Sequence, residues 1–291
     1  MQELRGKVAV VTGGASGIGL ALSRAFLNEG MAVVVADIEQ GALDAALADL
    51  GANGGTVTAV RTDVSKLDSV EELADRVYAD HGACHVLCNN AGVGAPSAKV
   101  WETTPNDWRW VFGVNVTGVV NGILTFVPRM LEAAQEGHIV NTSSPDGPIS
   151  PLSTASVYAA SKAAVSTITE CLAAQLEADG TELRASVFYP SGGLMRTGLW
   201  TAERTRPPEL ARERPRESTP MTIESLEEMA KQAGRELQFQ SLDELADLVV
   251  SGIRDQRFIM MLGLDQTAAT LRSRAGAIEK GELPLTQAHL T

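Results

Sequence analysis

The run Val8-Ala9-Val10-Val11, followed by Thr12-Gly13-Gly14-Ala15-Ser16-Gly17-Ile18-Gly19, restricts the fold of this 291-residue chain more than any other stretch. A short β-branched run reads as a buried strand, the glycines as a tight turn, and residues 20–27, at helical spacing, as the following helix. Such a loop sets a helix N-terminus, with its unpaired amides and positive dipole end, against a phosphate. Glycine is required where a side chain would block the turn, the approach of a pyrophosphate, or the packing of helix on strand.

The same alternation continues to the far end of the chain. Apolar runs at 32–36, 56–60, 86–88, 139–142, 184–189 and 257–262 read as further strands, with helices over 40–50, 69–81, 107–130 (one long helix, or two joined near Gly113) and 156–178. Near-continuous apolar strands separated by helices imply a parallel sheet covered on both faces. The right-handed crossover rule then leaves an α/β doubly wound parallel sheet as the simplest topology, and residues 1–291 read as one domain. From Ser191 to about Ser241 the rhythm breaks into a Pro- and charge-rich segment, helical over 222–232, which reads as a flap inserted in the domain. Its apolar members Leu194, Met195, Leu199, Trp200, Met221 and Met229 suit a cover over an apolar substrate pocket. Its arginines 204, 206, 212, 214 and 216, interleaved with Glu203, Glu209, Glu213 and Glu217, read as a solvated mixed-charge surface. Residues 278–291 read as a peripheral tail.

Charge narrows the partners. Thirty-six acidic against twenty-four basic residues give a formal net charge of −12, which repels a nucleic-acid backbone and an anionic membrane surface alike. No uninterrupted apolar run approaches the roughly 20 residues that span a bilayer, and the first residues carry no signal-peptide core. Cys84, Cys88 and Cys171 have poor spacing for zinc and read as reduced thiols, which fits a cytoplasmic protein. His81, His85, His138 and His289 show no ligand spacing, so no metal is expected. In Trp108-Arg109-Trp110-Val111-Phe112 the aromatic residues read as helix packing, with a substrate platform as the alternative.

Three sets of side chains carry chemistry. Asp37 closes the second strand 18 residues after Gly19; a carboxylate there can accept hydrogen bonds from both hydroxyls of an adenosine ribose and repel a 2′-phosphate, which favours NAD over NADP. Tyr158 and Lys162 lie four apart on one helix face, where an ammonium would favour the phenolate of its neighbour and make it a proton donor or acceptor near neutral pH. Ser143 and Ser144 stand at the end of a strand, where parallel sheets bind ligands.

With these residues in place the chain resembles the classical short-chain dehydrogenase/reductase family over residues 5 to about 262. The pieces that carry the likeness are Thr12-Gly13-x-x-x-Gly17-Ile18-Gly19, Asp63-Val64, Asn89-Asn90-Ala91-Gly92, Asn115, Ser144 and Tyr158-Ala159-Ala160-Ser161-Lys162. The resemblance implies a Rossmann-type sheet of about seven strands, and a homodimer or homotetramer built on the long central helices. It implies a small-molecule alcohol or ketone as substrate. Tyr158 would be the general acid/base, Lys162 would lower its pKa and bind the nicotinamide ribose, and Ser144 would hydrogen-bond the substrate oxygen. Asn115 would hold a water that relays protons from Lys162. Gly13, Ser16, Gly17, Ile18 and Gly19 would cradle the cofactor, Asp63 and Val64 would contact adenine, and Asn90, Ala91 and Gly92 the adenosine side. Pro190 and Thr197 would complete the nicotinamide end.

The chain departs from the family pattern in two places. Ser144 precedes Tyr158 by 14 residues, one more than the family leads one to expect, so the 145–157 loop reads as carrying an insertion, with Ser143 as the less favoured substitute for Ser144. The turn after the sixth strand is Pro190-Ser191-Gly192-Gly193, and Thr197 lies farther downstream than usual. Both departures border the substrate pocket. The expected activity is NAD-dependent interconversion of a hydrophobic, cyclic or aromatic secondary alcohol and its ketone. An NADP-dependent ketoreductase, a non-catalytic dinucleotide-binding regulator and a methyltransferase are the competing readings; the Tyr158/Lys162 pair disfavours the last two.

Overall fold

The structure, a computed structural model, describes every residue except 53, 95–96, 215–221 and 285–291. Met221, Arg216, Glu217 and His289 fall outside the described residues. Strands β1 (Val8–Thr12), β2 (Ala32–Asp37), β3 (Val57–Arg61), β4 (Val86–Asn89), β5 (Gly137–Thr142), β6 (Leu183–Phe188) and β7 (Ile259–Met260) form one parallel sheet in the order β3-β2-β1-β4-β5-β6-β7. The chain enters at β1, winds outward to β3, then returns to place β4 beside β1 and winds the other way. The ends of β1 and β4 are therefore the switch point, where the loops part and a crevice opens.

Strand period two decides the cores. Ala9 and Val11 of β1 face one layer with Val33 and Val35 of β2; Val8 and Val10 face the other with Val34 and Ala36. The first layer is covered by α1 (Gly17–Asn28), α2 (Gln40–Gly51) and α8 (Leu242–Arg254). The second is covered by α3 (Leu67–His81), α5 (Gly118–Glu132) and α6 (Ser156–Ala178). Strands buried on both faces explain the unbroken apolar runs in the sequence.

Several expectations are corrected here. Of the two readings of 107–130, the structure has the pair of helices joined near Gly113: α4 (Pro105–Phe112) and α5, with a π turn over Gly113–Thr117 between them. The stretch from Pro105 to Glu132 is long and apolar enough to cross a membrane by length and composition, and 56% of its most apolar window is buried inside the protein. The last strand is two residues long, not six. Helix α8 stands where the sequence reading placed no element, although Leu245, Ala246, Val249, Val250 and Ile253 repeat at helical spacing and Ser241 caps it by accepting from Glu244 N–H at 3.3 Å. Helix α7 (Ile223–Gln232) begins where expected, with the Thr222 hydroxyl accepting from Ser225 N–H at 3.2 Å. A further helix, α9 (Leu264–Glu279), follows β7 and buries none of its residues.

Candidate active site

The switch point opens into a cleft of about 510 Å³. At its base Thr12, the last residue of β1, organises the crossing between strands. Its hydroxyl donates to Cys88 O at 3.3 Å and accepts the N–H groups of Asn90 and Ala91 at 3.0 and 3.1 Å. The Asn90 side chain returns the connection, donating to Thr12 O at 3.0 Å. The glycine loop is thereby pressed against the β4 end. A Cβ on Gly19 would lie 2.0 Å from Gly13 O, and Gly13 has φ +62° with Ala91 Cα 2.8 Å from the place its own Cβ would occupy. Only glycine fits either position. Ser16 is the N-cap of α1 with no side-chain cap bond, so the first-turn amides of α1 point into a cradle without side chains. That cradle fits a pyrophosphate.

Asp37 ends β2 at the lip of the same cleft. Its carboxylate accepts from Ala15 N–H at 3.3 Å and from Glu39 N–H at 3.2 Å, which locks the loop after β2 to the glycine loop. Burial pushes its pKa up, opposed by those two backbone donors. The Asp63 carboxylate accepts from the Ser65 hydroxyl at 2.6 Å and the Ser65 N–H at 3.1 Å, and Asp63 and Val64 line the cleft beside it.

At the other end α6 carries Tyr158 and Lys162 into the cleft. The Lys162 Nζ donates to Thr142 O at 2.8 Å and sits 5.7 Å from the Tyr158 ring centroid. Burial lowers the Lys162 pKa to about 8 and raises that of Tyr158 to about 12, against a hydrogen bond from Ser144 that favours the phenolate. The expected pull of the ammonium on the phenol is opposed here by burial, the largest cause of both shifts.

Ser143 and Ser144 point in opposite directions. The Ser143 hydroxyl donates to Lys162 O at 2.7 Å and meets Ser166 Oγ at 2.8 Å, so it fastens β5 to the backbone of α6. Ser144 faces the cleft, bonds to Tyr158 and accepts from Asp146 N–H at 3.2 Å. The alternation at a strand end assigns the cleft-facing place to Ser144. The longer 145–157 loop folds on itself, with Ser150 N–H donating to Pro145 O at 2.9 Å and Leu152 N–H to Asp146 O at 3.1 Å.

Of the site residues read from the sequence, all but one line the cleft: Gly13, Ser16, Gly17, Ile18, Gly19, Asp37, Asp63, Val64, Asn90, Ala91, Gly92, Ser144, Tyr158, Lys162, Pro190, Leu194, Met195, Thr197, Leu199 and Trp200. Asn115 stands behind the wall, fully buried in the π turn. Its Oδ1 accepts from Val93 N–H at 2.8 Å, and its Nδ2 donates to Val93 O and Ser161 Oγ, both at 3.0 Å. A Cβ on Gly92 would lie 3.4 Å from both Asn115 Oδ1 and Lys162 Nζ, so only this glycine separates them. Thr197 closes over the glycine loop, its Cβ 3.2 Å from where a Cβ of Gly17 would be.

The flap over 194–210 is a chain of 3-10 turns rather than a helix, covering Gly198–Thr205 and Pro208–Leu210. Trp200 Nε1 donates to Met195 O at 2.9 Å, turning the indole inward. Met229 is 58% exposed and does not line the cleft. In the arginine-rich stretch Glu203, Arg204, Glu209, Glu213 and Arg214 are exposed as the surface reading expects, and Arg206 and Arg212 correct it. Arg206, 4% exposed, donates to Asp107 Oδ1 at 2.8 Å and lies 5.0 Å from the Trp110 ring centroid, while Arg212 reaches Asp107 Oδ2 at 3.4 Å. Trp110, 2% exposed, packs with Val93, Val111, Val157 and Ala202, with Trp108 and Phe112 against that cluster, and it also lines the cleft. Glu39, Arg204 and Asp146 line the cleft as well, and no sequence pattern singles them out.

The family profile for short chain dehydrogenases matches residues 7–207. The chain belongs to the short-chain dehydrogenase/reductase family. Among curated relatives it is 43% identical over 187 residues to the 1-deoxy-11-beta-hydroxypentalenate dehydrogenase of Streptomyces arenae, a match covering 63% of this chain and 66% of that one. It is 41% identical over 179 residues to the cis-4-hydroxycyclohexanecarboxylate dehydrogenase of Sinomonas cyclohexanicum, covering 62% and 71%. Among solved structures it resembles a short chain dehydrogenase/reductase from Burkholderia phymatum in complex with NAD, with TM-score 0.87, 38% identity, and 98% and 99% of the two chains covered. A metagenomic short-chain oxidoreductase in complex with NADP aligns with TM-score 0.67 and 27% identity over 89% and 96%. As a short-chain dehydrogenase/reductase, the protein is an oxidoreductase with a Rossmann-like fold from a family that binds NAD(P).

Proposed function

We propose that this enzyme interconverts a secondary alcohol and a ketone with NAD, on an apolar, cyclic or aromatic substrate. The observation that carries the reading is the convergence of two ends on one cleft: Asp37 beside the glycine cradle, and Tyr158 with Ser144 under the flap. NAD, when bound, supplies the hydride acceptor or donor. Asp37 supports NAD because its carboxylate stands where a 2′-phosphate would have to be buried against a negative charge.

Tyr158 holds the transferred proton at its phenol oxygen, taking it from the carbinol in oxidation and returning it in reduction. Ser144 positions the substrate oxygen by hydrogen bonding beside that phenol. Lys162 supplies positive charge 5.7 Å from the Tyr158 ring, which favours the phenolate once it forms. Asn115 fixes the Val93 backbone against Ser161, and from there it can order a water next to Lys162 Nζ. Leu194, Met195, Leu199 and Trp200 line the substrate end and support an apolar ring, as do the alicyclic substrates in the relatives' names. Family resemblance supports a cytoplasmic homodimer or homotetramer, which light scattering on the purified enzyme checks.

The test is a panel of cyclic and aromatic secondary alcohols with either dinucleotide, followed by nicotinamide absorbance. Turnover of hydrophobic alcohols with NAD is expected; turnover of sugars or polyols alone overturns the substrate class. NADP is the competing cofactor reading, and the ratio of the two dissociation constants decides it.

A further inference from the structure

The flap is tied down by two arginines of different character, two residues apart, that reach in different directions. Toward α4, Arg206 and Asp107 form a buried pair, their side chains 4% and 1% exposed. Toward the cofactor cradle, Arg204 makes a two-pronged contact with Glu39: Nη2 donates to Oε1 at 2.5 Å and Nε to Oε2 at 3.1 Å, with side chains 42% and 34% exposed. The remaining Nη1 of Arg204 gathers the flap itself, donating to Gly198 O at 3.0 Å, Thr201 O at 2.9 Å and Thr201 Oγ1 at 3.0 Å. Glu39 lies two residues beyond Asp37, and its backbone N–H is held by the Asp37 carboxylate at 3.2 Å. The fork therefore joins the flap to the loop that carries the ribose acceptor, and both partners line the cleft.

We propose that the Arg204–Glu39 fork is a clasp that retains the dinucleotide, closing the adenosine end of the cleft and opening for the cofactor to enter or leave. The inference rests on the dinucleotide reading of the cleft. Thr197 closes over Gly17 and the fork closes over the Asp37 loop, so the flap bridges the cleft above the whole cradle. A half-exposed ion pair favours closure by roughly a factor of two to five, weak enough to break on each turnover. The buried Arg206–Asp107 end stays anchored and serves as the pivot. Glu39 and Arg204 are positioning residues: they set how long the cofactor stays, while the chemical step belongs to Tyr158.

The test is stopped-flow release of NADH from the full-length enzyme, chased with excess NAD, in the parent, Glu39→Gln, Arg204→Gln and the double variant. Each single variant is expected to speed release about two- to fivefold, and the double variant no more than the faster single, because both remove one interaction. Raising salt from about 0.05 to 0.5 M should speed release from the parent toward the variants' rate and leave the variants little changed. Single-turnover hydride transfer should be the same in all four. Unchanged release in both single variants, or fully additive effects, overturns the clasp. Absence of saturable binding of NADH and NADPH alike overturns the dinucleotide reading and the clasp with it, whereas saturable binding with unaltered release overturns the clasp alone.

Discussion

Along the glycine-loop wall of the cleft, functional groups are fixed by main chain and by buried hydroxyl or amide contacts: Thr12 bridges β1 to β4, Asn90 returns to Thr12 O, and Ala15 N–H binds Asp37. The flap opposite is held by guanidinium groups that reach 99 and 165 residues back along the chain, to Asp107 and Glu39. The first wall descends directly from strand ends, so its geometry follows from the sheet. The second lies between β6 and α8, and its place depends on a few charged contacts between groups far apart in the chain.

The largest effect is expected on the shared chemistry between the walls. Tyr158→Phe should lower turnover by about 10²–10⁴-fold, the usual contribution of a positioned acid/base, with NAD affinity kept; a variant retaining full activity would remove Tyr158 from the mechanism. Next comes the flap's buried anchor. Asp107→Ala strips the partner from Arg206 and Arg212, whose Nη2, Nε and Nη1 groups already lack partners among the described residues. It also removes the carboxylate that accepts from Thr104 N–H at 2.8 Å at the start of α4. A loss of about 3–5 kcal/mol is expected in denaturant unfolding, because Arg206 keeps only the exposed Glu203, at 3.2 Å, as a carboxylate partner and Arg212 loses its carboxylate. A loss under about 1 kcal/mol would mean that the flap is not anchored there.

pH separates the two directions of reaction. With burial holding the Tyr158 phenol up to about 12, the protonated donor persists across the neutral range and ketone reduction should show no loss from Tyr158 between pH 6 and 8. Alcohol oxidation needs the phenolate, so its kcat/KM should climb by about tenfold per pH unit below the governing pKa. The climb should slacken as Lys162, lowered to about 8, loses its proton. An oxidation profile that falls from pH 6 to 8 would contradict this assignment. The smallest effect falls at the flap's exposed end: Arg204→Gln should cost less than about 1 kcal/mol of stability. Equal losses for Arg204→Gln and Asp107→Ala would erase the distinction between clasp and pivot.

What the sequence makes legible follows the same division. Period-two strands, the glycine loop, Asp37 and the i, i+4 pair Tyr158/Lys162 are local patterns, and local patterns survive in one dimension. Only the fold shows that the Ser143 hydroxyl, just past β5, is engaged by Lys162 O and Ser166 Oγ of α6, which supports Ser144 over Ser143. The Arg206–Asp107 and Arg204–Glu39 contacts are invisible because alternating arginines and glutamates look alike whether solvated or buried, and only the folded chain brings their partners near. Helix α8 carries a readable apolar repeat and a serine cap but no chemical motif.

Trp110 and Trp200 both touch the cleft, one from α4 and one from the flap. Indole emission overlaps the absorption of reduced nicotinamide, so these side chains make the cleft an optical sensor of its own redox state. Trp200 travels with the flap, Trp110 with its pivot. The chain has four tryptophans, so with Trp101 and Trp108 replaced by phenylalanine, removing Trp200 or Trp110 in turn would leave one reporter, of occupancy or of closure, without any attached dye.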